Sequence, residues 1–140
     1  YHTKLGTTIA GVLIINNTGY TFWLGDVQIQ HFRDNELLFV SESHSFINEM
    51  KGNGVVSSKD IDRYKNIVTR SLSGTPLVEP IPIVEIQLQQ GDIICISSDG
   101  LYNSINPALL ISKSGNEIES ILKANEKSID DNFSIINIKI

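Results

Sequence analysis

Short apolar runs, each closed by a cluster of Gly, Asn, Asp or Pro, set the rhythm of this chain. Residues 7–15 are mostly apolar and end at Asn16-Asn17-Thr18-Gly19, a turn signal that makes residues 20–24 the returning strand. Gly25 and Asp26 interrupt. Val27, Ile29 and Phe32 then place apolar side chains at roughly alternate positions, up to a turn at Arg33-Asp34-Asn35-Glu36 and a short strand over 37–40. The first forty residues therefore predict an antiparallel meander with hairpin-length loops.

The period then changes. Phe46, Ile47 and Met50 stand at helical spacing within 43–50, whereas 51–62 is polar, glycine-containing and poor in large apolar residues, which predicts a surface excursion. Residues 66–72 are apolar again and are punctuated by Gly74-Thr75-Pro76. Over 81–88 Ile83, Val84, Ile86 and Leu88 read as a strand whose start is confined to a sheet edge by Pro80 and Pro82. Gly91 and Asp92 launch the apolar run 93–96, a buried strand. Asn106-Pro107 signals a short helix, and Ile118, Ile121 and Leu122 share one face of a second helix over 117–124. The chain closes on a strand over 133–140. The whole is strand-rich α+β in one domain.

Composition narrows the classes without choosing one. At 140 residues, 41% hydrophobic and 19% charged, the chain can bury a core, and its net charge of −5 argues against nucleic acid or an anionic membrane as partner. No apolar run approaches the ~18 residues of a membrane span. Cys95, the sole cysteine, lies inside an apolar run and reads as a small buried hydrophobe in a reduced, cytoplasmic setting. Trp23 and Tyr20 read as core aromatics of the meander, and His44 as a helix-start residue rather than a general acid, with His2 and His31 weaker still.

Two aspartates carry the candidate chemistry. Asp99 follows the buried strand through Ser97-Ser98 and precedes Gly100, which lets the backbone swing away, so its carboxylate is expected rigidly at the rim of a sheet. Asp131, followed by Asn132, stands just before the last strand, with Asp130 beside it as a competitor. Carboxylates at strand ends suit a hard cation such as Mg²⁺ or Mn²⁺.

Read in order, these segments resemble the C-terminal two-thirds of the protein phosphatase 2C family, the metal-dependent Ser/Thr phosphatases. Leu5-Gly6-Thr7-Thr8 resembles the family's Met-Gly-Thr-Thr entry, and Leu24-Gly25-Asp26 its Val-Gly-Asp-Ser-Arg turn, followed in register by Arg33 to Leu37. Residues 41–50, beginning Ser41-Glu42-Ser43-His44-Ser45, resemble its Thr-Glu-Asp-His-Ser segment. Gly54-Val55-Val56 and Asn66-Ile67-Val68-Thr69-Arg70 resemble the flap and its continuation. Ser98-Asp99-Gly100 and Asp131-Asn132 resemble the two metal-binding signatures. Each alone is weak; six in order are strong.

The resemblance implies an antiparallel β-sandwich flanked by helices, one partial domain over 1–140 with a flap at 51–72. It implies Asp99 and Asp131 as ligands of a dinuclear Mn²⁺ or Mg²⁺ pair and Asp26 as holding a third, weaker ion. No side chain acts as nucleophile: a metal-activated water attacks the phosphorus of phosphoserine or phosphothreonine in a protein substrate, itself the product of a Ser/Thr kinase. Val27-Gln28 replace Ser-Arg after Asp26. The family's upstream segment, with an acidic ligand and an Asp-Gly-X-Gly-Gly motif, has no counterpart before Tyr1. The expectation is therefore a chain that is inactive without that missing N-terminal segment, or else a non-catalytic binding or regulatory relative. Sheets without that segment would also leave open edges and bare apolar surface, favouring self-association.

Overall fold

The computed structural model describes residues 5–54, 57–129 and 131–140. His2, the Val55-Val56 part of the flap match and Asp130 lie outside the described residues. Strands β1 (Ile9–Ile15), β2 (Thr18–Leu24), β3 (Gln28–Arg33) and β4 (Glu36–Val40) come first, then helices α1 (Phe46–Asn53) and α2 (Ser58–Tyr64). Strands β5 (Ile83–Gln87) and β6 (Ile93–Ser97), helices α3 (Asp99–Tyr102) and α4 (Gly115–Asn125), and strand β7 (Ile135–Lys139) follow.

The strands form two sheets, β1-β2-β5 and β4-β3-β6-β7, antiparallel throughout. The expected meander is thus broken in the middle: β2 pairs with β5 and β3 with β6. The chain changes sheets at Gly25–Val27, where Gly25 holds φ +104° and a Cβ would stand 2.2 Å from Thr8 Cγ2. Both the positive φ and the close approach require glycine. Trp23, Ile29, Ile86, Leu88 and Ile94 form the core between the sheets, with Ala10, Val12, Phe39 and Ile138 packed against it.

On the outer face of the four-stranded sheet Phe32 and Cys95 pack under Ile111, and Leu101, Ile105 and Leu110 form the seat on which Ile118, Ile121 and Leu122 of α4 rest. Cys95 is buried as expected, and desolvation pushes its thiol up to about 12, far from thiolate chemistry at neutral pH. Trp23 is core; Tyr20 is half-buried.

The segment expected as an excursion is largely helical. α1 runs on to Asn53, and α2 starts at a capping box in which Ser57 and Asp60 satisfy each other's backbone N–H groups. The first helix begins later than expected, with Ser45 as N-cap. Residues 66–72 form no strand; isolated bridges tie Val68 to Ser45 and Leu72 to Thr7.

Candidate metal centre

Asp99 sits where β6 gives way to α3. Ser98 N donates to Ser134 O (3.1 Å) and Ser134 N to Ser98 Oγ (2.9 Å), so the strand end is zipped onto the segment that precedes β7. Gly100 is buried in this seam: a Cβ there would lie 2.3 Å from Asn132 O and 3.2 Å from Asp131 Cβ. Gly100 is helical, so it serves close approach, not the backbone swing the sequence suggested. It is this contact that brings the two signatures, remote in sequence, side by side. Each aspartate accepts from the next amide, Asp99 Oδ1 from Gly100 N (2.9 Å) and Asp131 Oδ1 from Asn132 N (2.7 Å), which fixes both side chains.

Asp26 arrives from the sheet-crossing turn. Tyr102, on α3, donates its hydroxyl to the Asp26 carbonyl, tying that turn to the helix that Asp99 begins. Asp26, Asp99 and Asp131 line one cleft of about 640 Å³ together with Gln28, Ser43, Asn48, Lys51, Lys65, Asn66 and Tyr102. The Asp26 carboxyl is pushed above the ordinary carboxylate range, first by burial and then by the charge of Asp99, with Asp131 adding a smaller push. Burial, then the nearby negative charge of Asp26, also pushes the Tyr102 phenol up to about 12.

All three candidate aspartates therefore meet in one place, with oxygen donors of the kind hard divalent cations take. They do not close a site by themselves: among the described residues no three carboxylate, imidazole or thiolate groups converge on one ion position. The donor chemistry fits such a cation and the donor count is incomplete.

Neither described histidine, His31 or His44, lines the cleft. His31 is buried with its Nε2 2.8 Å from Asp92 Oδ2. His44 stands at the helix start, as expected, but has more to do there. It precedes the N-cap, stacks on Trp23 (centroids 6.4 Å apart, 17° between planes) and contacts Gly25. Burial, then the Arg70 guanidinium, holds its pKa below the usual imidazole value. This role was not legible in the sequence, because it depends on the turn between sheets.

The family model for protein phosphatase 2C matches residues 2–133. The chain belongs to the protein phosphatase 2C family. It is 30% identical over 120 residues to Protein phosphatase PhpP of Streptococcus pneumoniae, covering 84% of this chain and 45% of that protein. It is 27% identical over 141 residues to the Serine/threonine phosphatase stp of Listeria welshimeri, covering 94% of this chain and 56% of the relative. The solved serine/threonine phosphatase of Streptococcus agalactiae superposes with a TM-score of 0.80 at 27% identity, over 96% of this chain and 59% of that one. A PstP catalytic domain solved in complex with two manganese ions has the same fold, with a TM-score of 0.77 at 19% identity over 94% of this chain and 57% of that one. The chain spans about half the length of the curated relatives it matches.

Proposed function

We propose that this chain forms one wall of a dinuclear metal centre in a protein phosphatase that hydrolyses phosphoserine and phosphothreonine, and that it works as part of a longer protein. The observation that carries the reading is the convergence of Asp26, Asp99 and Asp131 on one cleft in a chain of this family. Asp99 and Asp131 are the ligands of the principal pair of Mn²⁺ or Mg²⁺ ions, Asp26 of a third, weaker one, and upstream residues complete the set. A bound pair of divalent ions supplies Lewis acidity and an activated water. The chain's own residues position and exclude: the Ser98–Ser134 zipper fixes the spacing of Asp99 and Asp131, and Tyr102 anchors the Asp26 turn. Residues 51–72 act as the flap, and Lys51, Ile61, Lys65 and Asn66 line the cleft from that side, where a phosphoprotein would lie. Its substrates are then the products of a Ser/Thr kinase. No helix among the described residues is long and apolar enough to cross a membrane. We place the activity in the cytoplasm on the reading of Cys95 as a free, buried thiol.

The test is hydrolysis of a phosphopeptide and of an aryl phosphate by the full-length protein with Mn²⁺. Asp99→Asn and Asp131→Asn should each lower activity and Mn²⁺ affinity by roughly a hundredfold or more, since even loss of an outer-shell partner costs about 10–100-fold. Wild-type protein without activity on either substrate would overturn the reading.

The incomplete donor set favours a second reading, a phosphatase-like module that binds without catalysing. Tight binding of a phosphopeptide that is never hydrolysed, unaffected by Mn²⁺ or its removal, would select it.

A further inference from the structure

The Gly25–Asp26 turn is gripped from two sides. Tyr102 holds the Asp26 carbonyl from α3. Opposite, His44 makes a reciprocal pair with Gly25: its backbone N–H donates to Gly25 O (2.8 Å), and its ring Nδ1 accepts from Gly25 N (3.1 Å). The ring is held in plane by stacking on Trp23, whose indole N–H donates to Glu42 O (2.7 Å). The same residue reaches the flap. His44 O accepts from Thr69 N (2.9 Å), and Nε2 lies 3.2 Å from Arg70 Nη1.

Two donors therefore approach one imidazole. A neutral ring has a single lone pair, so it can serve only one of them. Arg70 has other acceptors, since its Nη2 donates to Glu79 O (3.0 Å) and Pro80 O (2.9 Å) and its Nη1 stands 3.7 Å from the Glu79 carboxylate. The Gly25 amide is fixed in the backbone, whereas the Arg70 side chain can turn off Nε2 toward Glu79. The lone pair is therefore assigned to Gly25 and the ring proton to Nε2, a tautomer in which Nε2 and Arg70 Nη1 are both donors and form no hydrogen bond. Gly25 is also constrained by its positive φ and by Thr8, which occupies the place a Cβ would take.

We infer that His44 is a positioning residue: through Nδ1 it sets the direction in which the Gly25–Asp26 turn presents the Asp26 carboxylate to Asp99, and through its carbonyl, which accepts from Thr69 N, it ties that turn to the flap. The inference rests on the proposed reading of Asp26 as a metal ligand. It gives the histidine a task that requires no contact with substrate and no proton transfer.

Three variants in the full-length protein separate acceptor from ring. His44→Phe keeps the stacking on Trp23 and loses the acceptor. His44→Asn restores an acceptor, Oδ1, near the place of Nδ1 and loses the ring. Asp26→Asn identifies the Mn²⁺ equivalent that depends on Asp26. In calorimetric Mn²⁺ titration, His44→Phe should weaken the Asp26-dependent equivalent about tenfold, the worth of one hydrogen bond, while leaving the tighter equivalents unchanged. His44→Asn should recover most of that loss. Amide hydrogen exchange at Gly25 should quicken in His44→Phe and be restored in His44→Asn, at melting temperatures close to wild type. An Asp26-dependent equivalent that His44→Phe leaves at wild-type affinity would overturn the inference while the metal reading stands. If Asp26→Asn removes no Mn²⁺ equivalent at all, the assignment of Asp26 fails and the inference fails with it.

Discussion

Asp92 is the residue whose importance the linear pattern hides. Next to Gly91 it looks like a turn aspartate, yet its side chain is fully buried. Arg33 donates to both of its oxygens (2.8 Å each), His31 Nε2 lies 2.8 Å away, and Gln89 N donates at 2.9 Å. The Arg33 guanidinium is the largest cause holding this carboxyl far below the usual range; burial pulls the other way, and His31 and the Gln89 amide add to Arg33. A carboxyl depressed in the folded state contributes stability that is present above its unfolded value, near 3.9, and is lost as pH falls toward the folded one. Denaturant midpoints should therefore drop steeply below about pH 4 in the wild type. Asp92→Asn should cost about 3 kcal/mol at neutral pH, because it leaves Arg33 without its carboxylate, and should flatten that acid limb. Equal acid sensitivity in wild type and variant would show that Asp92 is not the group responsible.

At the scale of elements, what the sequence discloses depends on how local its cause is. The hairpin at Asn16-Asn17 and the buried run before Ser97 are read correctly from neighbours in the chain, and both stand as strands. The partner of β2 is not readable in this way. Thr21 is buried and donates its hydroxyl to Val84 O (3.0 Å), a bond across 63 residues that no local pattern announces. The convergence of Asp99 with Asp131 is legible only as two separate strand-end carboxylates; Gly100 against Asn132 O is what joins them. Other misses had a signal available. Ser114 and Glu117 form a complete capping box that starts α4 at Gly115, two residues before the apolar periodicity places it. Ser57 and Asp60 do the same for α2. α4 has no fully buried residue and is held by partly buried Ile118, Ile121 and Leu122, so its cap matters more than it would for a core helix. Ser114→Ala should lower stability by about 1 kcal/mol, a few degrees in melting temperature, and Ser114→Asp should restore most of it. A change confined to noise in both variants would mean that packing alone fixes this helix.

Across the whole molecule the two sheets are clothed unequally. On the outer face of the four-stranded sheet Ile111 covers Phe32 and Cys95, and Leu101 of α3 packs with Ile118, Ile121 and Leu122 of α4 and with Ile135 of β7. On the three-stranded sheet Ala10 and Val12 turn inward to the core, and the alternation of β1 leaves Ile9, Leu13 and Ile15 outward, on the same face as Ile83 of β5 across β2. These four are exposed, Leu13 by 57% and Ile83 by 68%, and β1 and β5 are also the edges of their sheet. An apolar face bounded by unpaired edges is the combination that drives strand pairing and aggregation in water. The 140 residues alone should therefore self-associate, with a sedimentation coefficient that rises with concentration and with strong binding of an apolar dye. Leu13→Lys with Ile83→Lys should suppress both, because neither side chain reaches the core and the new charges repel a second copy. The same pair of substitutions should leave the Asp99–Asp131 seam untouched, since that seam is built on β6, α3 and the approach to β7. A monodisperse monomer of the unsubstituted chain at high concentration would show that this face is less adhesive than its exposed area implies.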